Sequence, residues 1–87
     1  MTRQEASRLG QLCAEDAFED SERCRSNFNS LLAEAQRRVE SQYDHRRKYA
    51  LFDAHEDVAL TAARARAEWL FRQVRQIRQR SEESRQG

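Results

Sequence analysis

The sequence predicts an all-α protein: two or three long helices forming a helical hairpin or coiled-coil-like bundle, completed by a second copy or a partner. Three observations carry this expectation. Among 87 residues there is no proline, and glycine occurs only at Gly10 and Gly87, so the tight turns of sheets and loop-rich folds are hard to build. Twelve alanines, many Glu, Gln and Arg, and few β-branched residues supply side chains that lose little rotamer freedom on a helix. Leucine, isoleucine, valine and phenylalanine total only fifteen, a small store of core-forming side chains in a chain whose size already limits burial. A lone copy is therefore expected to be marginal, and oligomerisation or a partner is the usual remedy.

One helical domain, 1–87, is expected, with helices at about 3–13, 15–51 and 54–81 and a disordered tail at 82–87. The first helix opens on Thr2-Arg3-Gln4-Glu5, which has the form of a capping box, and Leu9, Leu12 and Cys13 give it an apolar face. Glu15, Asp16, Glu19, Asp20 and Glu22 suit the start of a second helix, because acids are favoured at the positive end of the helix dipole. One unbroken helix from residue 3 is the alternative. A competing break lies at Ser26-Asn27, both good N-caps.

From Phe18 a heptad seam reads Phe18, Ser21, Arg25, Phe28, Leu32, Ala35, Val39, Gln42, apolar only in its middle. Arg46, Arg47 and Lys48, followed by Asp53 and Glu56, mark a helix end meeting a helix start, so the sharpest turn is expected near 51–54. The last helix carries Leu60, Ala63, Ala67, Leu70, Val74 and Ile77 at alternating spacings of three and four. Four acid-first i,i+4 pairs (Glu19–Arg23, Glu34–Arg38, Asp44–Lys48, Glu68–Arg72) each add roughly 0.2–0.5 kcal/mol of helix stability and carry no functional information.

The strongest pointer to a binding surface is Trp69-Leu70-Phe71. At 100° per residue, Leu70 faces the seam and the two rings fall on opposite flanks. Three large apolar side chains then cover about 200° of the helix, more than one neighbouring helix can cover. Tryptophan is the residue most enriched in interface hot spots, although burial inside a homo-oligomer core would use the rings equally well. The expected partner-binding or oligomer seam is Leu60, Ala63, Ala67, Trp69, Leu70, Phe71, Val74 and Ile77 with Phe28, Leu32 and Val39. The expected partner is another protein or the chain itself, a homodimer being favoured, and the function classes are an adaptor, a chaperone or escort, or an assembly subunit. Alanines at 62, 63, 65 and 67 permit close helix approach, or simply favour the helix.

A net charge of +1 argues against a purely electrostatic partner such as DNA or an anionic membrane. Fifteen arginines against the single Lys48 fit either bidentate anion binding or GC-rich coding. The last segment is the place where nucleic acid could be read: residues 69–87 hold five arginines against two glutamates, a local charge of +3. Arg72, Arg75, Arg78 and Arg80 are the contacts of that alternative, and a solvated basic face at a helix C-terminus explains the same residues.

No enzyme activity, cofactor, metal or small-molecule substrate is expected. His45 and His55 have no His or Cys at i+3 or i+4, and no Cys-x-x-Cys exists. His55-Glu56 opens like a zinc-protease motif, but Ala59 stands where its second histidine is needed. Cys13 and Cys24 would lie roughly 16 Å apart on one helix, beyond disulfide reach. No signal-like apolar stretch and no run near 20 apolar residues is visible, so a cytoplasmic protein is expected.

Overall fold

In a computed structural model the backbone is described for residues 2–48 and 55–86, and side chains for 2–45 and 55–74. The described residues form helices α1 (Arg3–Asp20), α2 (Glu22–Ser26), α3 (Phe28–Lys48) and α4 (Glu56–Gln86), with no strand among them. None is long and apolar enough to cross a membrane.

The Thr2 hydroxyl caps α1, accepting from the Glu5 amide at 3.1 Å and donating to the Glu5 carboxylate at 3.2 Å. The helix then runs to Asp20 rather than ending near residue 13, straight through the acids expected to open the next one. Acids at a helix C-terminus cost about 0.3–1 kcal/mol each, and local partners offset this. Glu15 pairs with Arg66 and Asp20 with Arg38. Arg25 donates to the carbonyls of Phe18 at 3.0 Å and Glu19 at 2.7 Å, satisfying acceptors that the helix end leaves open. Ala14 and Ala17 are fully buried, so stopping at residue 13 would also forfeit packing.

The long helix expected over 15–51 is interrupted twice, each time by one extended residue. Ser21 (φ −136°, ψ 122°) accepts from the Cys24 amide at 3.4 Å, and Asn27 (φ −137°, ψ 113°) accepts from the Ser30 amide at 3.2 Å. The Ser26-Asn27 break is used, with Asn27 as the cap of α3. The interruptions split the heptad seam, and the buried row of α3 becomes Leu31, Ala35, Val39 and Tyr43, while Leu32 is half-buried and Gln42 exposed. Every step in that row is four residues.

The same spacing recurs in Ala6, Gly10 and Ala14 of α1, continued by Ala17, and in Ala59, Ala63 and Ala67 of α4. Rows of this kind underlie the commonest class of globular helix packing, whereas the three–four alternation belongs to coiled coils. One cluster joins Ala6, Cys13 and Ala14 to Ala35, Val39 and Tyr43 and to Ala59 and Ala63. The other joins Ala17 to Cys24, Leu31 and Ala67, with Phe18, Phe28 and Phe71 against it. In that order α1 runs parallel to α4, and α3 runs antiparallel to both. The α1–α4 pairing is the most extensive and the tightest: a Cβ built on Gly10 would fall 2.0 Å from the Ala59 carbonyl oxygen and 2.9 Å from the Ala63 nitrogen.

The turn expected at 51–54 lies outside the described residues. α4 begins at Glu56, after His55, which has φ 87° and whose carbonyl accepts from the Ala59 amide at 3.1 Å. Helix continues to Gln86, through most of the tail expected to be disordered.

Candidate functional site

The chain Glu15, Arg66, Trp69 crosses from α1 to α4. Arg66 and Trp69 are three residues apart and so neighbours on α4. The Arg66 guanidinium lies over the indole, its carbon 4.1 Å from the ring centroid, and one of its terminal nitrogens meets the Glu15 carboxylate at 2.5 Å. The cation is thus fixed from one side by a carboxylate and from the other by the face of a π system. Its Nε is buried and has no hydrogen-bond partner among the described residues.

The three large residues of the Trp69-Leu70-Phe71 run separate as the helix geometry requires. Leu70 packs against the core cluster. Phe71 turns to α3 and meets Phe28 edge-on, centroids 5.5 Å apart at 75°. Trp69 falls on the flank of α4 where Arg66 reaches Glu15 of α1, and 42% of its surface stays exposed. Leu12 is the other exposed large apolar side chain among the described residues, also at 42%. It lies on the outer side of α1, not on the apolar face that the sequence predicts for it with Leu9 and Cys13.

Of the remaining seam residues, Val39, Ala63 and Ala67 are fully buried inside the chain's own bundle. Phe28, Leu32, Leu60 and Val74 are half-buried, and the Ile77 side chain lies outside the described residues. Phe28, Glu68, Phe71 and Arg72 line an open groove of about 450 Å³ on the α3 side of α4. Arg72 is exposed, with its Nε 3.5 Å from the Glu68 carbonyl. Arg75, Arg78 and Arg80 lie on α4, with their side chains outside the described residues.

A second polar constellation, unmarked in the sequence except for its Glu34–Arg38 pair, sits at the junction of α1, α2 and α3. Glu34 accepts from Arg37 at 2.6 and 3.1 Å and from Arg38 at 3.1 Å, while Arg38 also reaches Asp20 at 2.9 Å. The Arg37 hydrogen bonds foremost hold the Glu34 carboxyl below its ordinary range; burial opposes them, and the Arg38 hydrogen bond adds to the lowering. Burial pushes the Cys13 thiol up, Asp16 adds to this, and Arg38 opposes it, so Cys13 is the reverse of an activated nucleophile. Cys13 and Cys24 are free and buried. No group of three or more His, Cys, Asp or Glu that could hold a metal ion occurs among the described residues.

No protein-family model, curated protein or solved structure matches the chain.

Proposed function

We propose that this chain is a helical protein–protein interaction module, an adaptor, escort or assembly subunit, that docks through the α4 face around Trp69 onto a second copy or another protein. The exposed indole carries the reading. A tryptophan with 42% of its surface in water, oriented by an arginine that is itself held by a carboxylate, is a pre-ordered amphipathic anchor, and rigid anchors lose little entropy on binding. Leu70 and Phe71, the other large residues of the run, are committed to the bundle and serve as its support.

Trp69 is the sole tryptophan, so its emission reports its own burial. In a concentration series read by light scattering and fluorescence together, a rise in mass accompanied by a blue shift supports docking of copies through this face. A rise in mass with unchanged emission, equal in Trp69→Ala, places the contact between copies elsewhere and leaves this face to another protein alone. With a candidate partner the same blue shift must accompany binding.

A nucleic-acid reading draws on one observation. Phe71 pairs with the first residue of α3, so the twelve residues 75–86 carry α4 onward by roughly 18 Å at 1.5 Å per residue, and Arg75, Arg78 and Arg80 stand on that extension. Duplex binding at low salt that weakens steeply as salt is raised, and that Arg72→Ala, Arg75→Ala and Arg78→Ala together remove, would favour it. Absence of a mobility shift at low salt ends it.

A further inference from the structure

The elbow between α1 and α3 is a helix interrupted by polar side chains. Between residues 11 and 86 the sequence has no glycine or proline, and the two interruptions are single extended residues, Ser21 and Asn27, each held by its own side-chain cap. In a continuous helix the Phe18 and Glu19 carbonyls would bond the amides of Glu22 and Arg23. Here the Arg25 guanidinium occupies both. Ser21, Arg25 and Asn27 therefore decide between a bent and a straight chain.

We propose that this elbow straightens and that α1 of a second copy then fills the groove on α4 that α1 occupies within its own chain, giving a domain-swapped homodimer. The groove is selective because its floor is the Ala59, Ala63 and Ala67 row, and only a helix with a gap such as Gly10 can lie against the Ala59 carbonyl. With Ser21 and Asn27 helical, residues 3–48 become one rod of roughly 69 Å, which carries α1 away from its own α4. Two such rods laid antiparallel place each α1 beside the other copy's α3 and α4. The directions match those within one chain, antiparallel to α3 and parallel to α4. The operation is a closed two-fold passing through α2. Gly10 against Ala59 and Glu15 with Arg66 become contacts between copies. Cys24, seven residues from both Ala17 and Leu31, stays on the inward face of the rod. The exchange leaves Trp69 where it is, so it goes beyond the docking reading above and does not depend on it.

Two variants push the elbow in opposite directions. Ser21→Ala with Asn27→Ala removes both caps and favours the straight form. Glu22→Pro favours the bent form: proline is accepted at the first position of α2, it keeps Ser21 extended, and it cannot sit inside a continuous helix. Light scattering after size separation reads the outcome. Two caps lost in each of two chains raise the association constant roughly 100-fold or more, while Glu22→Pro remains monomeric and Trp69→Ala dimerises like the parent. Parent protein refolded at high concentration traps dimer that Glu22→Pro refolded alongside does not, a comparison that holds even if the double variant folds poorly. Dimer formed equally by Glu22→Pro, or a double variant that is folded and monomeric at every concentration, overturns the proposal.

Discussion

Gly10 and Ala59 touch backbone to backbone: the place where a Gly10 Cβ would stand is 2.0 Å from the Ala59 carbonyl oxygen. Neither partner can swing aside, because both belong to helix main chain. Gly10→Ala should therefore destabilise the protein by about 2 kcal/mol through overpacking, although alanine gains about 1 kcal/mol of helix propensity over glycine. Urea unfolding measures this. Leu12→Ala, at an exposed position of the same helix, should change stability by no more than about 0.5 kcal/mol. A Gly10→Ala protein as stable as its parent would refute the close approach.

Trp69 separates binding from stability. With 42% of its surface exposed the ring is still more than half covered, so Trp69→Ala should cost about 1–2 kcal/mol, part of it the Arg66 contact, well below the about 3–5 kcal/mol of a fully buried tryptophan. Arg66→Ala should uncover the indole, moving its emission to the red and increasing acrylamide quenching. An unchanged spectrum in Arg66→Ala would show that the guanidinium does not cover the ring.

His55 occupies the left-handed region, with φ 87°, where a side chain costs of order 1–3 kcal/mol. Glycine avoids that strain but gives up unfolded-chain entropy, so His55→Gly should be more stable by about 0.5–1 kcal/mol. His55→Val should be less stable, because β-branched residues tolerate this region worst. Thermal melts rank the three, and valine at or above glycine would contradict the geometry.

Glu34 gives the acid side of the stability curve a definite sign. Its carboxyl is held below the ordinary value of 4.5 by Arg37 and then by Arg38. The unfolded chain therefore takes up the proton first as pH falls. The stabilisation is complete above about 4.5 and disappears as pH drops through the lower folded value. Glu34→Gln should flatten that part of the pH dependence and leave the region above pH 6 parallel to the parent. An identical acid limb in both proteins would remove Glu34 as its source.

The helical class was legible because propensity and the missing breakers act locally. The core was less legible, because it is built from residues that hydrophobic patterning underweights. Seven of the twelve buried core residues described are alanines. Ala6, Gly10, Ala14 and Ala17 were passed over for Leu9, Leu12 and Cys13, and Leu12 proved exposed. The available signal was the matching four-residue spacing in Ala59, Ala63 and Ala67. The end of α1 was misplaced because the dipole argument sees one helix at a time, whereas Arg66, Arg38 and Arg25 act across helices. Trp69 and Phe71 were correctly placed on opposite flanks, but the sequence did not say that α3 would take Phe71 and leave the indole outside.

The alanine rows repeat every turn, so α1 could slide along α4 by four residues and find a nearly identical surface. One absent methyl forbids it. Shifted by a turn in either direction, Ala6 or Ala14 would bring its β-carbon onto the Ala59 oxygen. Gly10 is thus the notch that lets α1 seat in a single alignment, and in this protein register is set by a missing atom group rather than by a shaped one.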